Sequence, residues 1–485
     1  MKNLKPFTAA SLALLLISCF SGCRPPEEAE GEGPHIVLIS VDSLRADHLS
    51  CYGYERPTSP TLDLLAREGV LFEDVSSSSS WTLPAHAALF TGLPDSVHGV
   101  DRGEKKLESW QRTLAEALRD RGYQTAGIWS GPLLDPRFGF AQGFDSYRGL
   151  GPADQRSAAS AGQESQDSWE SRVARSHEIV TGPKVLARLE ELLRLRSDTA
   201  AAGKTDQPLF LFIHLWDVHY DYIPPPPFDA LFVDPGYRGT VDGRGLNRLV
   251  LREEPPLERA DLEHLKALYD GEIAFVDRQI SDILQRLNAE LDGPLVTAVT
   301  ADHGEEFFEH GHFGHKRTLF EESVRIPWIL HAPALLPPNL RLAEPVRIVD
   351  VAPTLLEIAG ADPLPDTLGR SLMPLIRGQS MPSSPVIAEL NQGSRSLLAA
   401  RLGGKKILAS PEEKRVLDAF DLETDPEEQS TRLDEEGRAP EESLRILRHA
   451  SSEIARLKEL HRGTRSARDL DEDLRRELES LGYLG

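Results

Sequence analysis

His35-Ile36-Val37-Leu38-Ile39-Ser40-Val41-Asp42 decides how this chain folds. A half-buried strand alternates apolar and polar residues. A nearly unbroken apolar run that ends on an acid instead fits a central parallel strand covered on both faces. Asp42 then stands at the carboxyl edge of the sheet, where open α/β sheets bind ligands. The competing role, for Asp42 or for Asp47, is to cap the next helix. The same pattern returns twice. Leu209 to Leu215 is a second buried strand, delivering Trp216-Asp217-Val218-His219 before the prolines 224–227. Residues 295–303 run Leu-Val-Thr-Ala-Val-Thr-Ala-Asp-His, a third strand ending on Asp302 and His303.

Between these strands the period changes to that of amphipathic helices. Residues 61–69 and 107–122 read as helices closed by glycine, 180–195 and 261–287 as longer ones, and 70–75, 124–129 and 328–331 as further strands. The rhythm predicts an α/β fold with a central, mostly parallel sheet flanked by helices. Past residue 385, short strands at 396–402, 405–409 and 415–422 around Gly403-Gly404, then a helix at 441–460, predict a small C-terminal α+β subdomain. The expected division is a signal at 1–23, a tether at 24–33, a catalytic domain at 34–384 and the subdomain with its tail at 385–485. Residues 151–170 and 229–257 lack periodicity and read as surface excursions.

Trp81-Thr82-Leu83-Pro84-Ala85-His86 follows the serine run 76–80 and precedes Leu89-Phe90-Thr91-Gly92. Pro84 suits a first helical turn and Gly92 a C-cap, so Thr82 is expected just ahead of a helix N-terminus. Unpaired N–H groups and the positive end of the dipole there favour an anionic oxygen. Thr82 is accordingly either an N-cap or a nucleophile.

The chain has 485 residues and is 40% hydrophobic, enough for a large core, and its formal charge of −23 argues against nucleic acid as a partner. Lys2, Lys5, the apolar run Ala9 to Ile17 and Phe20-Ser21-Gly22-Cys23 compose an export signal whose end resembles a bacterial lipobox, in which Cys23 is the residue to be acylated; the alternative is a conventionally cleaved signal peptide. The chain is therefore expected to be exported and lipid-anchored to a bacterial membrane, facing the periplasm or the exterior. Of three cysteines only Cys51 lies beyond the signal, so no internal disulfide framework exists and Cys51 reads as a small buried residue.

Two strands ending on carboxylates in one sheet bring Asp42, Asp302 and His303 toward Thr82. Oxygen donors with one imidazole suit a single divalent ion: Mn²⁺, Ca²⁺, Mg²⁺ or Zn²⁺. His310, His312 and His315 follow in the next loop. His219 lies beyond its strand at the ligand edge, whereas His214, inside an apolar strand, reads as a satisfied core histidine.

Over residues 34–430 these motifs resemble the sulfatase family of the alkaline phosphatase superfamily. Counting back from Leu89-x-Thr91-Gly92 sets Thr82 at the position of that family's Cys-x-Pro-Ser-Arg cysteine, with Pro84 kept, Ala85 for Ser and His86 for Arg. Asp42, Asp302-His303-Gly304, and Lys316 with Phe320, Glu321, Arg325 and Pro327 match as well, as do Asp217-x-His219, Asp350 to Thr354 and the segment 421–428. The resemblance implies a metal-dependent hydrolase of sulfate or phosphate esters, acting on small-molecule, glycan or lipid substrates. Thr82 would be the nucleophile and a metal ligand beside Asp42, Asp302 and His303. His86, His219 and Lys316 would bind substrate, and Lys316, His219 or His315 would serve the leaving group. The departures are informative. Threonine cannot become formylglycine, so none is expected. Ser43 replaces the second metal acid, and Ile128-Trp129-Ser130-Gly131-Pro132 replaces an anion-binding Lys and His. A threonine nucleophile after a lone acid looks more like the lipoteichoic acid synthases and phosphoethanolamine transferases. A phospho-group transferase is thus one alternative, and a non-catalytic binding lipoprotein the other.

Overall fold

The computed structural model describes residues 33–150, 181–201, 207–250, 257–392 and 395–462. The signal, Cys23, nearly all of the tether, the 151–170 excursion and the charged tail lie outside these. Six strands come first: β1 (His35–Val41), β2 (Val70–Ser76), β3 (Gln124–Trp129), β4 (Ser146–Gly149), β5 (Leu209–Leu215) and β6 (Leu295–Ala301). A two-stranded hairpin, β7 (Glu306–Phe307) and β8 (Phe313–Gly314), precedes β9 (Arg325–His331), β10 (Leu340–Leu342) and β11 (Val346–Arg347). The large sheet runs β10-β2-β9-β6-β1-β5-β3-β4, with β11 also on β2. Every residue of β1 and β5 is buried, as their apolar runs require. β1 pairs in parallel with β5 on one side and β6 on the other, so three strand ends meet at one edge.

The sheet is mixed, because β9 is antiparallel to both β6 and β2. A parallel return needs a crossover over the sheet face. The β6–β9 connection never leaves the carboxyl edge, so the chain re-enters in the opposite direction. The 302–324 loop is thereby kept at that edge, and with it His315 and Lys316.

The helix expected over 107–122 is shorter, Leu114–Asp120. Thr113 accepts from the Glu116 N–H at 3.2 Å while the Glu116 carboxylate accepts from the Thr113 N–H at 3.0 Å, a capping box that starts the helix there. The other expected helices appear as Pro60–Glu68, Gly182–Ala201 and Arg259–Glu290. Cys51 is a free thiol only partly covered, not a core residue.

The C-terminal strands β12 (Val386–Gln392), β13 (Arg395–Leu402), β14 (Lys405–Ser410) and β15 (Arg415–Asp421) form an antiparallel meander. β12 has no counterpart in the sequence reading. One face of this sheet, with Leu390, Leu397 and Phe420, joins the main core. The other, with Ile387, Leu398 and Ile407, covers Ile446, Ala450 and Ile454 of the helix Glu441–Leu460. Glu321, after the 302–320 loop, links the two parts through Lys406 at 2.8 Å and Arg401 at 3.4 Å. Lys406 also meets Glu428 at 2.9 Å and Arg401 meets Asp74.

Candidate active site

Asp42 extends β1 by one residue, its N–H donating to the Leu215 carbonyl at 2.9 Å. Ser43 then turns the chain with φ +54°, an uncommon conformation for a side-chain-bearing residue. It is held by its N–H to Asp302 Oδ1 at 3.1 Å and its hydroxyl to Asp42 Oδ1 at 2.9 Å. Asp302 Oδ1 also accepts from the His303 N–H at 2.8 Å, so this carboxylate stitches the ends of β1 and β6 together. The serine run fixes the approach to Thr82. Ser77 Oγ donates to the Asp302 carbonyl, and Ser79 Oγ donates to the Glu389 carbonyl at 2.7 Å.

Thr82 is the first residue of the helix Thr82–Thr91 rather than the residue before it; Trp81 is the N-cap. Pro84 still fits, since first-turn N–H groups have no helical partner to lose. Gly92, at φ +68°, closes the helix in the left-handed conformation.

Thr82 Oγ1 lies 3.3 Å from Asp42 Oδ2 and 3.3 Å from His303 Nε2. His303 Nε2 lies 3.5 Å from Asp302 Oδ2 and 3.7 Å from Asp42 Oδ1. Since His303 Nδ1 contacts the Gly304 carbonyl at 2.8 Å, it carries the hydrogen and Nε2 turns a lone pair inward. Thr82 is 1% exposed and the other three are fully buried. Burial pushes the Asp42 carboxyl up to about 6, with His303 opposing; burial and then Asp42 raise Asp302. Among the described residues, only histidines lie within ion-pair distance of either acid. Asp302 Oδ2 has no hydrogen-bond partner among the described residues.

Buried carboxylates without cationic side chains and an orphaned oxygen are what a bound cation would satisfy. Asp42, Asp302 and His303 form a group able to hold one. A tetrahedron of ligands at about 2.0 Å from a zinc-sized ion has edges of about 3.3 Å, close to the separations found. The residues fit a divalent metal.

His315 stands next to His303, ring centroids 4.4 Å apart, its Nδ1 2.9 Å from Glu305 Oε1. Burial, then the neighbouring His303, hold its imidazole well below the ordinary range. His219 follows at 5.0 Å from His315 and stacks on Trp216 at 3.9 Å. Lys316 packs beside the residues just before Thr82, its Nζ 4.3 Å over the Trp81 ring and its N–H on the Ser80 carbonyl at 2.9 Å. Burial and then Arg317 lower its ammonium to about 7, with Glu104 opposing. His86, expected to bind substrate, has both ring nitrogens engaged within the protein. It is 0% exposed behind Thr82, with Nδ1 on the Thr82 carbonyl at 2.9 Å and Nε2 on Ser40 Oγ at 3.0 Å.

Several motif residues turn out to be structural. Asp217 binds the Thr181 hydroxyl at 2.7 Å, ahead of the helix Gly182–Ala201, and Asp350 is held by the Arg347 guanidinium at 2.7 Å. Asp47 pairs with Arg45, and His310 with Glu322 at 2.6 Å. Sequence reasoning missed Glu305 and the orienting serines, whose roles depend on partners far away in the chain.

The Sulfatase family model matches residues 34–361. N-acetylglucosamine-6-O-sulfatase of Bacteroides thetaiotaomicron is 24% identical, over 78% of this chain and 75% of that protein. The multifunctional alkaline phosphatase superfamily protein PehA of Trinickia caryophylli is 25% identical, over 70% and 77%. The phosphonate monoester hydrolase of Agrobacterium radiobacter superposes with a TM-score of 0.63 at 21% identity, covering 88% of this chain and 96% of that one. Matched from its first strand through the site and on to residue 361, the chain belongs to the sulfatase family, with the fold of the alkaline phosphatase superfamily.

Proposed function

We propose that this hydrolase of sulfate or phosphate esters uses Thr82 as a nucleophile and works with one divalent metal held by Asp42, Asp302 and His303. The observation that carries the reading is the position of Thr82 Oγ1, 3.3 Å from both Asp42 Oδ2 and His303 Nε2 at a helix N-terminus. When bound, the cation would favour the alkoxide form of the Thr82 hydroxyl and offset charge on the transferring group. Thr82 attacks the sulfur or phosphorus, the ester oxygen leaves with a proton, and water cleaves the Thr82 ester. Asp302 and Ser43 hold the strand ends in register, His86 fixes the first turn from behind, and His219 and His315 line the flank next to His303. Because the nucleophile is threonine, the covalent ester cannot be cleared by collapse to an aldehyde. Direct attack on the bound group suits phosphorus better than sulfur. A panel of an aryl sulfate, a phosphomonoester and a phosphodiester tests this. Turnover of the sulfate alone would refute the preference, and turnover of none would refute hydrolysis.

Lys316 is the proposed acid for the leaving oxygen. Its ammonium is populated below about pH 7 and lost above it. For poor leaving groups kcat/KM is therefore expected to fall about tenfold per pH unit above that point, and aryl esters should show a flatter profile. Lys316→Arg stays protonated and should remove the falling limb at a lower overall rate. A limb that persists in the variant would reassign it.

We further propose that Cys23 is acylated and tethers the enzyme to a membrane facing the periplasm or exterior, with glycan or lipid esters as accessible substrates. Wild-type protein should fractionate with membranes, and Cys23→Ser should be released or left unprocessed. Soluble, unmodified mature wild-type protein would refute the anchor.

A further inference from the structure

His214 lies within β5, in register with Ser40 of β1, and is fully buried. Its Nδ1 meets the Ser130 carbonyl at 2.7 Å, and Ser130 Oγ donates to the His214 carbonyl at 2.8 Å, a reciprocal clamp that sets the ring. A carbonyl only accepts, so Nδ1 carries the hydrogen and Nε2 presents a lone pair. Among the described residues Nε2 has no hydrogen-bond partner, yet it stands 3.4 Å from Asp42 Oδ2. It also belongs to a second possible metal-holding group, with His86 and the orphaned carboxylate of Asp302. Two lone pairs facing each other at that distance repel unless a cation lies between them. His303 is built the same way, with Nδ1 on a backbone carbonyl and Nε2 turned toward the same two acids. Metal-ligating imidazoles are commonly oriented by such a bond to a backbone carbonyl. His86 differs, because both of its nitrogens are engaged by Thr82 and Ser40.

We infer that His214 is a further ligand of the divalent ion, giving a set of two imidazoles and two carboxylates in place of one imidazole. This rests on the metal reading above. Two imidazoles move the preference away from Mg²⁺ and Ca²⁺ and toward Zn²⁺. The test uses full-length protein loaded with Co²⁺ in place of Zn²⁺, and needs no turnover. Both Nδ1–H groups donate to buried carbonyls and should exchange slowly. The proton spectrum in water should therefore contain two far-shifted exchangeable imidazole resonances. His214→Gln should remove one of them, alter the Co²⁺ visible absorption, and weaken Zn²⁺ binding by at least the about 10–100-fold typical of disturbing a metal's surroundings. One resonance in the wild type would overturn the role of His214 and leave the metal reading standing. None, together with no bound Co²⁺, would overturn both. If His214→Gln fails to fold, the wild-type count decides alone.

Discussion

Thr82→Ala is expected to lower turnover of the preferred ester by about 10⁴- to 10⁶-fold, the scale on which removal of a covalent nucleophile acts. The side chain is 1% exposed and its oxygen faces Asp42 and His303, so the change removes the attacking atom while leaving a small void. Thr82→Ser keeps the hydroxyl and should retain measurable activity. It loses only the methyl group that restricts the rotamer. Intact-mass analysis after rapid quench with a slow substrate should show wild-type protein heavier by one sulfuryl or phosphoryl group, mapped to Thr82. An adduct mapped to another residue, or Thr82→Ala turning over at the wild-type rate, would refute the assignment.

The second large effect is expected from Asp302→Asn. The amide keeps an acceptor for the Ser43 and His303 N–H groups, so the strand ends should stay in register. What it loses is the charge of a buried, unpaired oxygen. Metal affinity should fall by more than the about 10–100-fold that loss of an outer partner costs, and activity should fall with it. Stability of the metal-free protein should move the other way. Burial and the neighbouring Asp42 raise the Asp302 carboxyl above its ordinary value, so above that ordinary value the folded state holds the ionised acid less well than the unfolded chain does. Replacing it should leave the metal-free variant at least as stable as metal-free wild type at neutral pH. Elemental analysis with thermal melts, with and without metal, checks both halves. A variant that keeps its metal would exclude Asp302 as a ligand.

The two effects separate cleanly. Thr82→Ala should keep most of the metal, because Asp42, Asp302 and His303 remain. Asp302→Asn should lose the metal but keep the fold. An enzyme in which both substitutions merely unfold the chain would fit neither expectation.

The elements that end at the site are legible in local patterns of residues. The short, β-rich runs that end at Val41, Leu215 and Ala301 read as covered strands, and the helix closed by Gly92 sets Thr82 near an N-terminus. Those are local facts, carried by hydrophobic period and by the conformational needs of proline and glycine. What meets at the sheet edge follows from pairing between distant segments. That β9 returns antiparallel, and so keeps His315 and Lys316 at the carboxyl edge, depends on pairing across the sheet. No local pattern separates His86, whose ring nitrogens meet Thr82 and Ser40, from His219, which stacks on Trp216 next to His315. Nor does any local pattern send Asp217 to Thr181, or mark His214 as different from a satisfied core histidine. The state of a buried polar group is set by which partners lie within hydrogen-bond reach of it, and some of these are far away in the chain, as Asp42–Thr82 and Ser43–Asp302 are.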